Sequence, residues 1–235
     1  MLLLYRGRDF DANFFYHAVA DIDHSFLLIN DQINKTKTKK NNKSKKVLFV
    51  PKMNRAEADS LFNDGKVMTY TDPTKDIPAY LRKRKIKKLK ADFLSLSAAL
   101  AAKFSKTVRL SDASDELREM RRIKRPDEIL LINKAVKYTR SIFDDLDPWE
   151  AKTELELKGI LLSKIFDLGL TPSYDPIVAT DSNSGFPHHQ PNTKKLGNLI
   201  MIDMGVRYKN YCSDLTRCFI KGKRDTKTSK LNLQY

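Results

Sequence analysis

Ile200-Met201-Ile202-Asp203-Met204-Gly205 and Tyr211-Cys212-Ser213-Asp214-Leu215-Thr216-Arg217 are the segments whose reading decides this chain. Two apolar runs flank a polar centre, Arg207-Tyr208-Lys209-Asn210. That is a β-hairpin pattern, without the Asn-Gly signal of the tightest turns. Folding about Tyr208-Lys209 pairs residues whose numbers sum to 417. Asp203 then faces Asp214 across the ladder, with Cβ atoms ~5 Å apart. Like charges that close need either a shared proton or a cation between them. Paired carboxylates at this separation suit a two-metal site that clamps an attacking oxygen. Hard divalent ions take about six ligands, and transition metals add imidazole, so two aspartates alone leave such a site short. The nearest histidines are His188 and His189, and after Asp214 the sequence holds neither His nor Glu.

Outward from this hairpin, 235 residues with 41% hydrophobic content suffice for one large domain or two small ones with a real core. No apolar run approaches the ~18 residues that cross a bilayer. Met1-Leu2-Leu3-Leu4-Tyr5 is too short for a signal peptide's apolar region and ends at Arg6. A cytoplasmic protein with no membrane partner is expected. Cys212 and Cys218 are expected on one strand and one face, ~20 Å apart, too far to bridge or to share a zinc ion.

The formal net charge of +15 raises nucleic acid as a partner. Its distribution points to non-specific contact only. Seven lysines crowd into Asn34–Lys46, a run without an apolar residue that reads as a disordered loop. The second run, Arg82–Lys90, reads as a solvated helix end leading into a strand. The third, Arg118–Arg125, lies in a helical pattern, and no aromatic residues interleave to stack bases.

Strand patterns at Leu2–Tyr5, Phe26–Ile29, Val47–Val50, Val67–Tyr70 and Thr107–Leu110 alternate with helical ones at Arg55–Phe62, Ile77–Arg84 and Leu94–Phe104. Residues 1–112 are therefore an α/β domain. From 113 to 235 the order changes. A helix near Ser114–Arg122 is followed by one started by Pro126, and a third is announced by the capping-box sequence Thr153-Glu154-Leu155-Glu156 and stopped at Gly169. A strand at Ser173–Ala179, a polar turn at Thr180–Gly185 and the aspartate hairpin follow, an α+β order.

The ordered set Ser173-Tyr174-Asp175-Pro176-Ile177-Val178-Ala179, Pro187-His188-His189, Ile202-Asp203-Met204-Gly205 and Tyr211–Arg217 resembles the metallopeptidase family with the pita-bread fold. Its members include methionine aminopeptidase, aminopeptidase P, prolidase and creatinase. Glu116–Ile129 resembles the opening of the catalytic domain in the prolidase and aminopeptidase P branch. The first half, through Asn13-Phe14-Phe15-Tyr16 and Leu48-Phe49-Val50-Pro51, resembles that branch's amino-terminal domain, which methionine aminopeptidases lack. The resemblance implies a pita-bread catalytic domain, present in part, and a metal-dependent exopeptidase that cleaves next to proline. It implies two divalent ions (Mn, Co or Zn), with Asp203 binding one and Asp214 bridging both. His188 resembles the histidine that contacts substrate near the metals and is the candidate catalytic residue, with His189 its rival for substrate. Tyr174 and Asp175 are expected to be structural. The family completes its site with one histidine and two glutamates further along, and these are expected on a separately encoded C-terminal half; a homodimer is the other candidate partner. Arg125 stands where a Ser or Thr cap is usual, and Cys218 where Thr is. Creatinase-like hydrolysis and a non-catalytic module binding peptide, protein or nucleic acid are the rival expectations.

Overall fold

The computed structural model describes residues 1–30 and 46–221. The lysine-rich run expected to be a loop lies outside the described residues except for Lys46. The chain divides into two compact units, Met1–Ile123 and Lys124–Tyr235.

The first unit runs β1 (Leu2–Arg6), α1 (Ala12–Ala18), β2 (Ser25–Ile29), β3 (Lys46–Pro51), α2 (Arg55–Leu61), β4 (Lys66–Tyr70), α3 (Pro73–Lys83), β5 (Lys88–Ala91), α4 (Ala98–Ser105), β6 (Arg109–Asp112) and α5 (Ser114–Arg122). Its six strands form one mixed sheet in the order β4-β3-β2-β1-β5-β6. Strands such as Leu2-Leu3-Leu4 and Phe26-Leu27-Leu28-Ile29 are apolar on both faces because both faces are covered. Leu2, Leu4, Leu27, Ile29 and Leu48 pack with Phe14, Ala58 and Leu117 on one side. Leu3, Phe26, Leu28 and Phe49 pack with Ile77, Leu81 and Phe104 on the other. Capping sets where the helices begin: Asp72 accepts from the Thr74 N–H with Pro73 in the first turn, and Ser97 accepts from the Leu100 N–H. Hence α3 starts before Ile77 and α4 after Leu94, where hydrophobic spacing alone put them.

Helix α5 belongs to this first unit. Leu117 joins its core, and the Arg121 guanidinium donates to Asn13 Oδ1 at 2.6 Å. The division therefore falls after Ile123 rather than after residue 112.

The second unit contains α6 (Pro126–Asp144), α7 (Glu154–Asp167), β7 (Thr171–Pro172), β8 (Ile177–Thr180), β9 (Leu199–Met204), β10 (Val206–Tyr208), β11 (Tyr211–Cys212) and β12 (Leu215–Ile220). Two three-stranded antiparallel sheets form, in the orders β12-β9-β8 and β11-β10-β7. Ile200, Ile202 and Met204 alternate inward along β9 and pack with Ala135, Ile142, Leu157 and Leu161 from the helices. By the same period of two, Leu199, Met201 and Asp203 project from the opposite face. Gly205 joins β9 to β10 where the chain crosses itself: a Cβ there would sit 1.7 Å from the Ser213 carbonyl oxygen. This close approach explains the glycine of Asp-Met-Gly.

Candidate metal centre

The hairpin register differs from expectation by two residues. Thr216 lies opposite Asp203, and Cys212 opposite Arg207, so paired numbers sum to 419 rather than 417. The cause is the turn. Tyr208 pairs with Tyr211 around a two-residue loop, Lys209-Asn210, with φ of 48° and 66°. Positive φ at both central residues is the type I′ condition, and Asn tolerates it better than most residues. Because the side-chain period is two, a shift of two leaves every residue on its expected face. Asp203 and Asp214 are diagonal rather than directly opposed. Cys212 and Cys218 are on different strands, β11 and β12, not on one, and both are free thiols.

A residue expected to be merely structural brings the two carboxylates together. Tyr174 Oη lies 2.7 Å from Asp203 Oδ1 and 2.7 Å from Asp214 Oδ1. The two carboxylate oxygens are thus no further apart than about twice that distance, within the range of a cross-strand pair. A phenol carries one proton and can donate it to only one acceptor at a time. Thr216 stands opposite Asp203 across the ladder, with its hydroxyl on the same face. Burial and the neighbouring Asp214 carboxylate raise the Asp203 pKa, against the lowering effect of the Tyr174 hydrogen bond and the nearby Thr216 hydroxyl. Burial, then the two carboxylates it contacts, push the Tyr174 hydroxyl far up as well. The cluster is therefore rich in hard oxygen and, among the described residues, holds no ion pair.

Asp214 is held from behind. Buried Ser213 bonds through its hydroxyl to the Val206 N–H at 3.0 Å and to Thr139 Oγ1 of α6 at 2.7 Å. Its carbonyl accepts from the Ser173 hydroxyl at 2.8 Å, while the Ser173 N–H donates to the Gly205 carbonyl at 2.9 Å. Tyr174 is thus tied to the hairpin through its neighbour. Asp175 points elsewhere, to Lys158 at 2.7 Å.

The two histidines part company. His188 is exposed, with φ of 58°. His189 turns to Glu154, its Nε2 lying 2.9 Å from Glu154 Oε2. Glu154 is wholly buried at the start of α7. It also accepts from the Thr180 N–H at 2.8 Å, the Asn183 amide at 2.8 Å and the Asn192 N–H at 3.2 Å. Burial would raise its pKa, and these four hydrogen bonds outweigh that and hold it low. The capping-box expectation is met only in part: Thr153 accepts from the Glu156 N–H, but the Glu156 carboxylate accepts from Lys152 rather than returning to Thr153.

Hydroxyl and carboxylate oxygens of this kind suit a hard divalent ion. Two carboxylates are only part of a ligand set: among the described residues, no three His, Cys, Asp or Glu side chains gather where one ion could sit. Residues 130–233 match metallopeptidase family M24. That match takes in most of the second unit and less than half of the chain, and it makes this segment similar to the pita-bread metallopeptidases. A putative Xaa-Pro aminopeptidase of Mycoplasma genitalium is 40% identical over 122 residues, which are 50% of this chain and 34% of that protein. An uncharacterized peptidase of Methanocaldococcus jannaschii is 35% identical over 128 residues, 52% of this chain and 37% of the relative. The matched segment thus spans about a third of the length of these relatives. The fold is that of the X-Pro aminopeptidase of Thermotoga maritima, with a TM-score of 0.79 at 21% identity over 94% of this chain and 62% of that one. The prolidase of Pyrococcus horikoshii gives 0.74 at 23% identity over 93% and 60%. The α/β and pita-bread architecture expected from the sequence is therefore found. No helix among the described residues is long and apolar enough to cross a membrane.

Proposed function

We propose that the second unit supplies Asp203 and Asp214 to a dinuclear metal site of an Xaa-Pro exopeptidase, an aminopeptidase or dipeptidase acting on peptides that contain proline. One observation carries the proposal: two carboxylates converge on a single phenol oxygen, at 2.7 Å each, and among the described residues no ion pair to either is found. Two divalent ions, when bound, supply Lewis-acid polarisation of a scissile carbonyl and activation of water. The chain's own residues do the rest. Asp203 and Asp214 give oxygen ligands from a rigid hairpin. Tyr174 orients them by donating its one hydroxyl proton to either carboxylate in turn, as outer partners of metal ligands commonly do. His188, exposed on the loop between β8 and β9, is free to contact substrate, whereas the His189 ring is committed to Glu154.

The absence of a third ligand side chain among the described residues favours a second reading, a non-catalytic peptide-binding module. The deciding experiment assays Xaa-Pro dipeptides and tripeptides with added Mn²⁺ or Co²⁺. The chain is tested alone and then with a fragment that carries one His and two Glu ligands. Metal-dependent hydrolysis by the combination, abolished by Asp203→Asn, is the expected result. Peptide binding without hydrolysis in both preparations would establish the module instead.

A further inference from the structure

The segment from Asp181 to Asn198 joins β8 to β9 and contains little regular structure beyond a single 3₁₀ turn at Asp181–Gly185. Such a segment has few backbone partners of its own and must be held by side chains. Glu154 supplies them. Its two oxygens take donors from Thr180 at the end of β8, Asn183 in the turn, His189 beyond the turn and Asn192 on the return. One buried carboxylate thus ties the end of β8 and three points spread along the segment to the first residue of α7. The Glu154 and Leu155 N–H groups reinforce this by donating to the Lys194 and Asn192 carbonyls. A carboxylate so placed also sits at the positive end of the α7 dipole.

We propose that Glu154 is the positioning residue for His188: through His189 it fixes the backbone that presents the exposed His188 ring to a peptide. The proposal rests on His188 as the substrate-contacting residue. It assigns His189 a role distinct from substrate binding, as the link between a buried anion and its neighbour in sequence. Glu154 itself touches no substrate.

The test uses the whole chain, with hydrogen–deuterium exchange and histidine ring NMR as readouts. His189→Leu removes the link, whereas His189→Gln keeps a donor in the place of Nε2 and should rescue it. In His189→Leu, amide exchange across residues 186–192 is expected to rise roughly 10-fold, as befits loss of a hydrogen bond to a charged group. Exchange in β9 should stay unchanged, and the His188 ring resonances should collapse toward those of a flexible histidine. His189→Gln should resemble the native chain in both. Glu154→Gln should give the same local signature with a larger rise. Equal acceleration in β9 and in the segment would mean a purely structural role and would overturn the proposal, as would unchanged His188 resonances in His189→Leu. A separate arm titrates Ala-Pro-Ala into the native chain and into His188→Ala. Equal binding by the two would refute the substrate role of His188 while leaving the exchange result intact, so the two failures can be told apart.

Discussion

Two carboxylate clusters sit in the same unit and are built in opposite ways. Glu154 is wholly buried and surrounded by four N–H donors. Asp203 is half-buried and Asp214 exposed, and the two share one phenol. In the first, donors exceed charge; in the second, charge exceeds donors. A buried carboxylate with all its lone pairs occupied has no capacity left for a ligand and works as a fastener. A pair of carboxylates sharing one donor keeps lone pairs open, which on the proposed reading a divalent ion would fill. The direction of the pKa shifts follows suit, down for Glu154 and up for Asp203.

The largest expected effect comes from removing the fastener. Glu154→Leu leaves the Thr180 and Asn192 N–H groups and the His189 ring without their acceptor inside the fold. It should cost ~3 kcal/mol or more in urea unfolding followed by circular dichroism. A loss below ~0.5 kcal/mol would place Glu154 in water and end the contrast.

The opposite sign is expected at the other cluster. With chelator present, Asp203→Asn removes a like charge and adds an amide donor toward Asp214, so stability at neutral pH should hold or rise by ~1 kcal/mol. A clear loss would mean that the pair is already compensated.

Acid sharpens the comparison. The low folded pKa of Glu154 contributes stability that is present above the unfolded value of about 4.3 and lost as pH falls through the folded one. The raised pKa of Asp203 acts the other way: its contribution favours folding below the unfolded value of about 3.9 and is lost as pH rises through the folded one. Urea midpoints between pH 3 and 7 should therefore fall less steeply toward acid in Glu154→Gln than in the native chain, and more steeply in Asp203→Asn. Parallel curves for all three would contradict both assignments.

The smallest effect belongs to Tyr174→Phe. Without metal it should lose ~1 kcal/mol, one hydrogen bond to a charged group net of solvation. In an Asp203→Asn background the loss should shrink, which a double-mutant cycle would detect.

The fold was readable because both faces of the first sheet are covered, so its strands appear as unbroken apolar runs such as Leu2-Leu3-Leu4. The face of Asp203 was readable too, since it follows from alternation along Leu199–Met204. The register was not, because Lys209 at positive φ carries no turn signature. Tyr174 reads as an aromatic in a strand-like run. Its partners lie far along the chain, and only the fold brings its hydroxyl to them. Glu154 was concealed for another reason. A glutamate beside a helix cap fits the macrodipole on its own, and nothing local reveals that its four donors come from a segment far along the chain.

Titration of Mn²⁺ into the chain by calorimetry, with Asp203→Asn, Asp214→Asn and Glu154→Gln alongside, tests the central claim most directly. Binding by the native chain that is lost in either aspartate variant and kept in Glu154→Gln is the predicted result. Equal binding in all four proteins, or loss only in Glu154→Gln, would contradict it.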